Sequence, residues 1–87
     1  YIIVKMLGFR VTTEYCTSRG RINVLIETGR FIYIIELKLD GTAQKALTQI
    51  EEREYALPFA TAGKQIIKIG ANFSKTTRNI DEWVITR

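Results

Sequence analysis

The sequence predicts a single domain of the α/β class, more closely an α+β mixed sheet with helices against it, and three observations predict it. Residues 9–17, 22–28 and 31–39 form three runs rich in β-branched and aromatic residues, separated by turn signals. Residues 43–54 then carry Ala43, Ala46, Leu47 and Ile50 at the spacing of one helical stripe. A fourth β-rich run, residues 65–73, follows that helix. Strands joined through a helix run parallel, with a right-handed crossover.

Each element has its own signature. Residues 1–7 (YIIVKML) are apolar and read as the tail of a helix, with Gly8 suited to its left-handed stop. FRVTTEYCT at 9–17 reads as a strand and SRGR as a turn. INVLIET at 22–28 reads as a second strand, with Gly29 and Arg30 as a short hairpin connection. FIYIIELKL at 31–39 is the third. Asp40 or Thr42 caps the helix that follows. Residues 55–63 are loop, punctuated by Pro58 and Gly63, with Tyr55 as a packing residue at the helix end. QIIKIGANF at 65–73 is the fourth strand and EWVIT at 82–86 a fifth. The order is α-β-β-β-α-β-(β).

Composition bounds the chemistry. With 87 residues there is one core to bury, not two. The absence of His excludes Ser-His, Cys-His and His-ligated metal sites. A single Cys excludes an internal disulfide framework and a Cys-cluster zinc site. Cys16, in a strand-like stretch, is expected as a small buried hydrophobe, and low Cys usage fits a reducing cytoplasm. No run reaches the ~18 apolar residues of a membrane span, and no signal peptide is visible. The chain begins at Tyr1 rather than Met, and residues 1–87 are expected to be one domain of a longer protein. The formal charge is +4, and residues 1–30 hold five cations against Glu14 and Glu27. Arg19 and Arg21 flank Gly20 there, which suits a polyanionic partner without requiring one.

The third strand carries an anomaly. Phe31, Tyr33, Ile35, Leu37 and Leu39 share one face, and Ile32, Ile34, Glu36 and Lys38 the other. Apolar residues on both faces imply a strand covered on both sides. Two opposite charges at its end must then be paired or bound to something; a rim ion pair is the plain reading. A hairpin that pairs residue 28 with 31 also pairs 23 with 36, which brings Asn23 near Glu36 and Lys38. Gln49, about two turns into the helix, is able to reach the same end of the sheet.

GRINVLIET, YIIELKLDGTAQKAL, QIEEREY and IGANFS with RNIDEW together resemble, along nearly the whole chain, a PD-(D/E)XK nuclease-superfamily domain found at the C-terminus of bacterial AAA-type ATPases. The resemblance implies a restriction-endonuclease-like αβββαβ core, a central mixed β-sheet flanked by helices. It implies Glu36, Lys38 and Gln49 as catalytic residues. Asn23, Glu36 and the main-chain carbonyl of Leu37 would be metal ligands, and Arg19 and Arg21 nucleic-acid contacts. It further implies Mg²⁺ or Mn²⁺ as cofactor, DNA as partner, an upstream ATPase region in the same polypeptide and a cytoplasmic setting, and it leaves a homodimer open. Position 23 departs from the pattern, which has Asp there. Losing one charge within ~4 Å of a dication costs several kcal/mol in a partly buried site, so weak metal binding is expected. Three readings follow: a metal-dependent DNA nuclease, a nuclease-derived module that binds DNA or a partner without cutting, and a plain interaction domain.

Overall fold

Stretches dense in Ile, Val, Thr, Tyr and Phe leave the backbone extended, and six of them join one mixed sheet in the order in which they occur along the chain. The computed structural model describes residues 3–6, 9–17 and 20–87, with side chains from residue 9 onward. The strands are β1 (Ile3–Met6), β2 (Phe9–Thr17), β3 (Gly20–Glu27), β4 (Phe31–Leu39), β5 (Gln65–Ser74) and β6 (Asn79–Thr86). One helix, α1 (Ala43–Glu52), links β4 to β5, and a single 3-10 turn (Leu57–Phe59) follows it. All neighbouring strands are antiparallel except β4 and β5, which are parallel as the intervening helix requires.

The register of β3 on β4 (Val24↔Ile35, Leu25↔Ile34, Glu27↔Ile32) is the one the short connection at Gly29-Arg30 predicts. Thr28 closes that connection: its hydroxyl accepts from the Phe31 amide at 2.9 Å. Thr42 caps α1 by accepting from the Lys45 amide at 3.0 Å. The buried stripe of α1 is Ala43, Ala46, Leu47 and Ile50. It packs with Ile22, Leu25, Ile32, Ile34, Tyr55 and Phe59 into the core.

Three expectations are corrected. Residues 3–6 form strand β1, paired antiparallel with β2 (Ile3↔Thr12 to Met6↔Phe9), not the tail of a helix. The β-branched Ile3 and Val4 suit a strand, and β2 offers them an open edge whose amides need partners. Gly8, expected to stop that helix, lies outside the described residues. Second, β4 is covered by a helix on one face only among the described residues. Ile32, Ile34 and Glu36 are buried under α1, whereas Leu37 and Leu39 on the opposite face are exposed. That face continues through Ala71 to Trp83, which is 63% exposed, on the same row of the sheet. Third, Cys16 is exposed instead of buried, because it faces away from α1 on a strand near the sheet edge. Among the described residues, no helix is long and apolar enough to cross a membrane.

Candidate active site

The site is built at the C-terminal end of β4. Along that strand every second side chain turns toward α1, so Ile32 and Ile34 enter the core and Glu36 and then Lys38 follow on the same face. Glu36 is 4% exposed. Its pairing partner on β5 is Gly70. A Cβ at Gly70 would lie 2.4 Å from the Ala43 carbonyl oxygen and 2.6 Å from the Leu47 amide nitrogen. The missing side chain therefore lets α1 lie directly on the sheet. That approach brings Gln49, on the half-buried flank of α1, over Glu36.

The three side chains form a chain of hydrogen bonds. Gln49 Nε2 donates to Glu36 Oε2 at 2.6 Å. Lys38 Nζ donates to Gln49 Oε1 at 2.5 Å. The rim ion pair expected between Glu36 and Lys38 is thus replaced by an amide bridge, which uses both ends of Gln49 and fixes its orientation. The second carboxylate oxygen, Glu36 Oε1, is buried and has no hydrogen-bond partner. Burial pushes the Glu36 carboxyl above its ordinary range, and the charges of Lys38 and Arg53 and the Asn23 main-chain amide pull the other way without cancelling it.

Asn23 stands where the alternation of β3 breaks. Ile22 and Leu25 are both fully buried although three residues apart. On the neighbouring β2, Glu14 has a φ of 52° between the pairs Thr13↔Val24 and Tyr15↔Ile22. At this irregularity Asn23 Oδ1 accepts from the Leu37 amide at 2.8 Å. Asn23, Glu36, Leu37, Lys38 and Gln49 therefore meet at one end of the sheet, as the sequence suggested.

The two arginines do not join them in the same way. Arg21 is exposed at the start of β3, with Glu14 Oε1 3.8 Å from its guanidinium. Arg19 lies outside the described residues. Arg53, at the C-cap of α1, contributes instead. Gly20 (φ 135°) makes room for it: a Cβ there would meet Tyr55 Oη at 2.8 Å and Arg53 Nη1 at 3.3 Å. Sequence reading missed Arg53, although Lys45, Gln49 and Arg53 recur at intervals of four, the spacing of one helix face.

A divalent cation at this end of the sheet would meet two side-chain oxygens, Glu36 Oε1 and Asn23 Oδ1. The orphaned, buried Glu36 Oε1 fits one coordination bond, since such an oxygen costs free energy until something occupies it. Asn23 Oδ1 retains one lone pair beside the bond from Leu37. Among the described residues no three or more His, Cys, Asp or Glu side chains are grouped so that they could hold a metal ion by themselves. The donor set supplies one formal charge, which suits a hard cation that keeps water and phosphate in the rest of its shell.

Residues 1–83 match the family model of the PD-(D/E)XK nuclease superfamily. The chain belongs to that superfamily. Its mixed sheet with α1 across one face is the α+β arrangement of a restriction-endonuclease-like PD-(D/E)XK fold. The chain is also 31% identical over 81 residues to an uncharacterized protein in the vnfD 5′ region of Azotobacter chroococcum mcd 1, a match that covers 91% of this chain and 16% of that protein. The chain thus spans about a sixth of that relative's length. No solved structure matches it.

Proposed function

We propose that this superfamily domain is a divalent-metal-dependent nuclease that hydrolyses DNA phosphodiester bonds, weakened by Asn23 at the usual Asp position. One observation carries the reading: a carboxylate oxygen, Glu36 Oε1, sits buried and unpartnered at the end of a Glu36–Gln49–Lys38 hydrogen-bond chain.

Glu36 Oε1, Asn23 Oδ1 and the Leu37 carbonyl would hold Mg²⁺ or Mn²⁺. A bound cation supplies Lewis-acid polarisation of a phosphate oxygen and a water of lowered pKa. Glu36 keeps its second oxygen on Gln49 and so is held in one rotamer. Gln49 passes that constraint to Lys38, whose ammonium group balances charge beside the phosphate and orients the attacking water. Arg21 contacts the backbone phosphates and positions DNA without reading sequence; Arg19 joins it in this role. In this reading the domain serves an upstream AAA-type ATPase region of the same polypeptide, in the cytoplasm.

A second reading is favoured by one observation: Asn23 Oδ1 already accepts the Leu37 amide, which leaves Glu36 as the one charged metal donor among the three named. In that reading the module holds DNA without cutting it. Plasmid nicking in Mg²⁺ or Mn²⁺ separates the two. Nicking by the wild type that Lys38→Ala abolishes supports the nuclease. If neither the wild type nor Asn23→Asp nicks, while both retard DNA, the non-cutting module stands. Asn23→Asp should bind Mn²⁺ at least tenfold more tightly, since it adds one full charge at the metal.

A further inference from the structure

The outer stripe of α1 forms one wall of a cleft of about 440 Å³. Lys38, Lys45, Gln49 and Arg53 line it, with Thr48 and Glu52 between them. Three cations therefore face one carboxylate. They are not scattered: Lys45, Gln49 and Arg53 recur at intervals of four, and Lys38 is tied to Gln49 Oε1 at 2.5 Å. Lys45 and Arg53 stand eight residues apart, about 12 Å along the helix. The middle of this row is Gln49, whose amide nitrogen holds Glu36. A second cleft of about 300 Å³, on the other flank of α1, has Ile50, Leu57 and Ile66 in its walls and lies away from the carboxylate.

A row with a cation at each end, one residue thick and passing over a buried carboxylate, matches a polyanion whose charges are also in a line. We propose that this cleft is a phosphate-backbone track. One polynucleotide strand lies along α1, with phosphates at Lys45 and Arg53 and the phosphodiester between them presented to Lys38, beside the Gln49–Glu36 pair. The proposal rests on the nuclease reading of the same site and adds the path of the strand, which the sequence placed only at Arg19 and Arg21. Thr48, exposed between the cations, gives a neutral surface that the strand passes over.

Fluorescence anisotropy of a labelled 20-nucleotide oligothymidylate and of a labelled 20-base-pair duplex tests it, at 50 mM salt with EDTA, so that no metal or cleavage is needed. Lys45→Glu and Thr48→Glu should each weaken binding of whichever probe the wild type binds by fivefold or more. Lys45→Glu and the milder Lys45→Gln should also lower the salt slope by about one, as expected for one lost phosphate contact. Lys64→Glu makes the same charge change before β5, at the opposite end of the sheet from Lys38, and should change affinity less than twofold. Circular dichroism identifies a variant that has lost its helix, and Lys45→Gln, which keeps a good helix former, then replaces it. If the wild type binds while Lys45→Glu and Thr48→Glu bind as it does, or if Lys64→Glu weakens binding equally, the track is overturned and the nuclease reading is untouched. If the wild type binds neither probe, the track is overturned, and nicking in Mg²⁺ or Mn²⁺ still decides the nuclease reading.

Discussion

Gly70→Ala tests whether the close seating of α1 holds the site together. The added methyl would lie 2.4 Å from the Ala43 oxygen and 2.6 Å from the Leu47 nitrogen, both main-chain atoms that cannot rotate aside. Ordinary contact begins at 3.4 Å, so α1 must lift by about 1 Å. Two effects oppose each other. Replacing Gly by Ala narrows the unfolded ensemble and stabilises by ~0.4–1 kcal/mol where the backbone permits, and Gly70 is not among the positive-φ positions. Overpacking costs ~1–3 kcal/mol, and with backbone on the other side of the clash the upper half of that range applies. The net should be a loss of about 1–2 kcal/mol, a fall of roughly 4–16 °C in Tm for a domain of this size. A 1 Å lift also stretches the 2.6 Å Gln49–Glu36 bond toward the limit of hydrogen bonding. Thermal unfolding reads the first effect. The side-chain amide resonance of Gln49 in a ¹H–¹⁵N spectrum reads the second, and it should move toward that of a solvated amide. A variant as stable as the wild type, with the Gln49 resonance unmoved, would refute the reasoning, because it would mean that α1 is not seated by Gly70.

Further predictions concern the groups around that seat. Burial raises the Glu36 carboxyl above its ordinary value of 4.5, so the folded state binds its proton more tightly than the unfolded chain does. Its contribution to stability is fully present below the unfolded pKa and is lost as pH rises through the folded one. Glu36→Gln should flatten that loss, so urea midpoints of variant and wild type should diverge as pH climbs above 4.5; parallel profiles would count against a buried, unpartnered carboxylate. Asn72 is 3% exposed, accepts from the Gly41 amide at 2.7 Å and donates to Asp81 at 3.0 Å. Asn72→Leu leaves the turn before α1 unpaired and should cost about 2–3 kcal/mol in denaturant melts. Thr42→Ala removes the helix cap and should cost about 1 kcal/mol, with Thr42→Ser close to wild type; equal loss in both would mean that the hydroxyl is not the cap.

The sequence by itself determined the sheet's middle. Alternation along residues 31–39 and the two-residue link at Gly29-Arg30 leave one register for β3 on β4, because a slip by one would turn Leu25 away from the core face it shares with Ile34. The helix between two β-rich runs makes them parallel. With the register fixed, the meeting of Asn23, Glu36 and Lys38 is a local consequence, and Gln49 follows from helix geometry. The tertiary structure decided the rest. The apolar segment at residues 3–6 is ambiguous when short, and the open edge of β2 made it a strand. Glu36 is buried at the point where Gly70, its neighbour on β5, lets α1 lie close to the sheet, which no local pattern encodes. Arg53 acts on Glu36 because Gly20, more than thirty residues away in sequence, leaves room for it. Local propensity and period are written in adjacent residues, whereas burial and charge proximity belong to pairs that only the folded chain brings together.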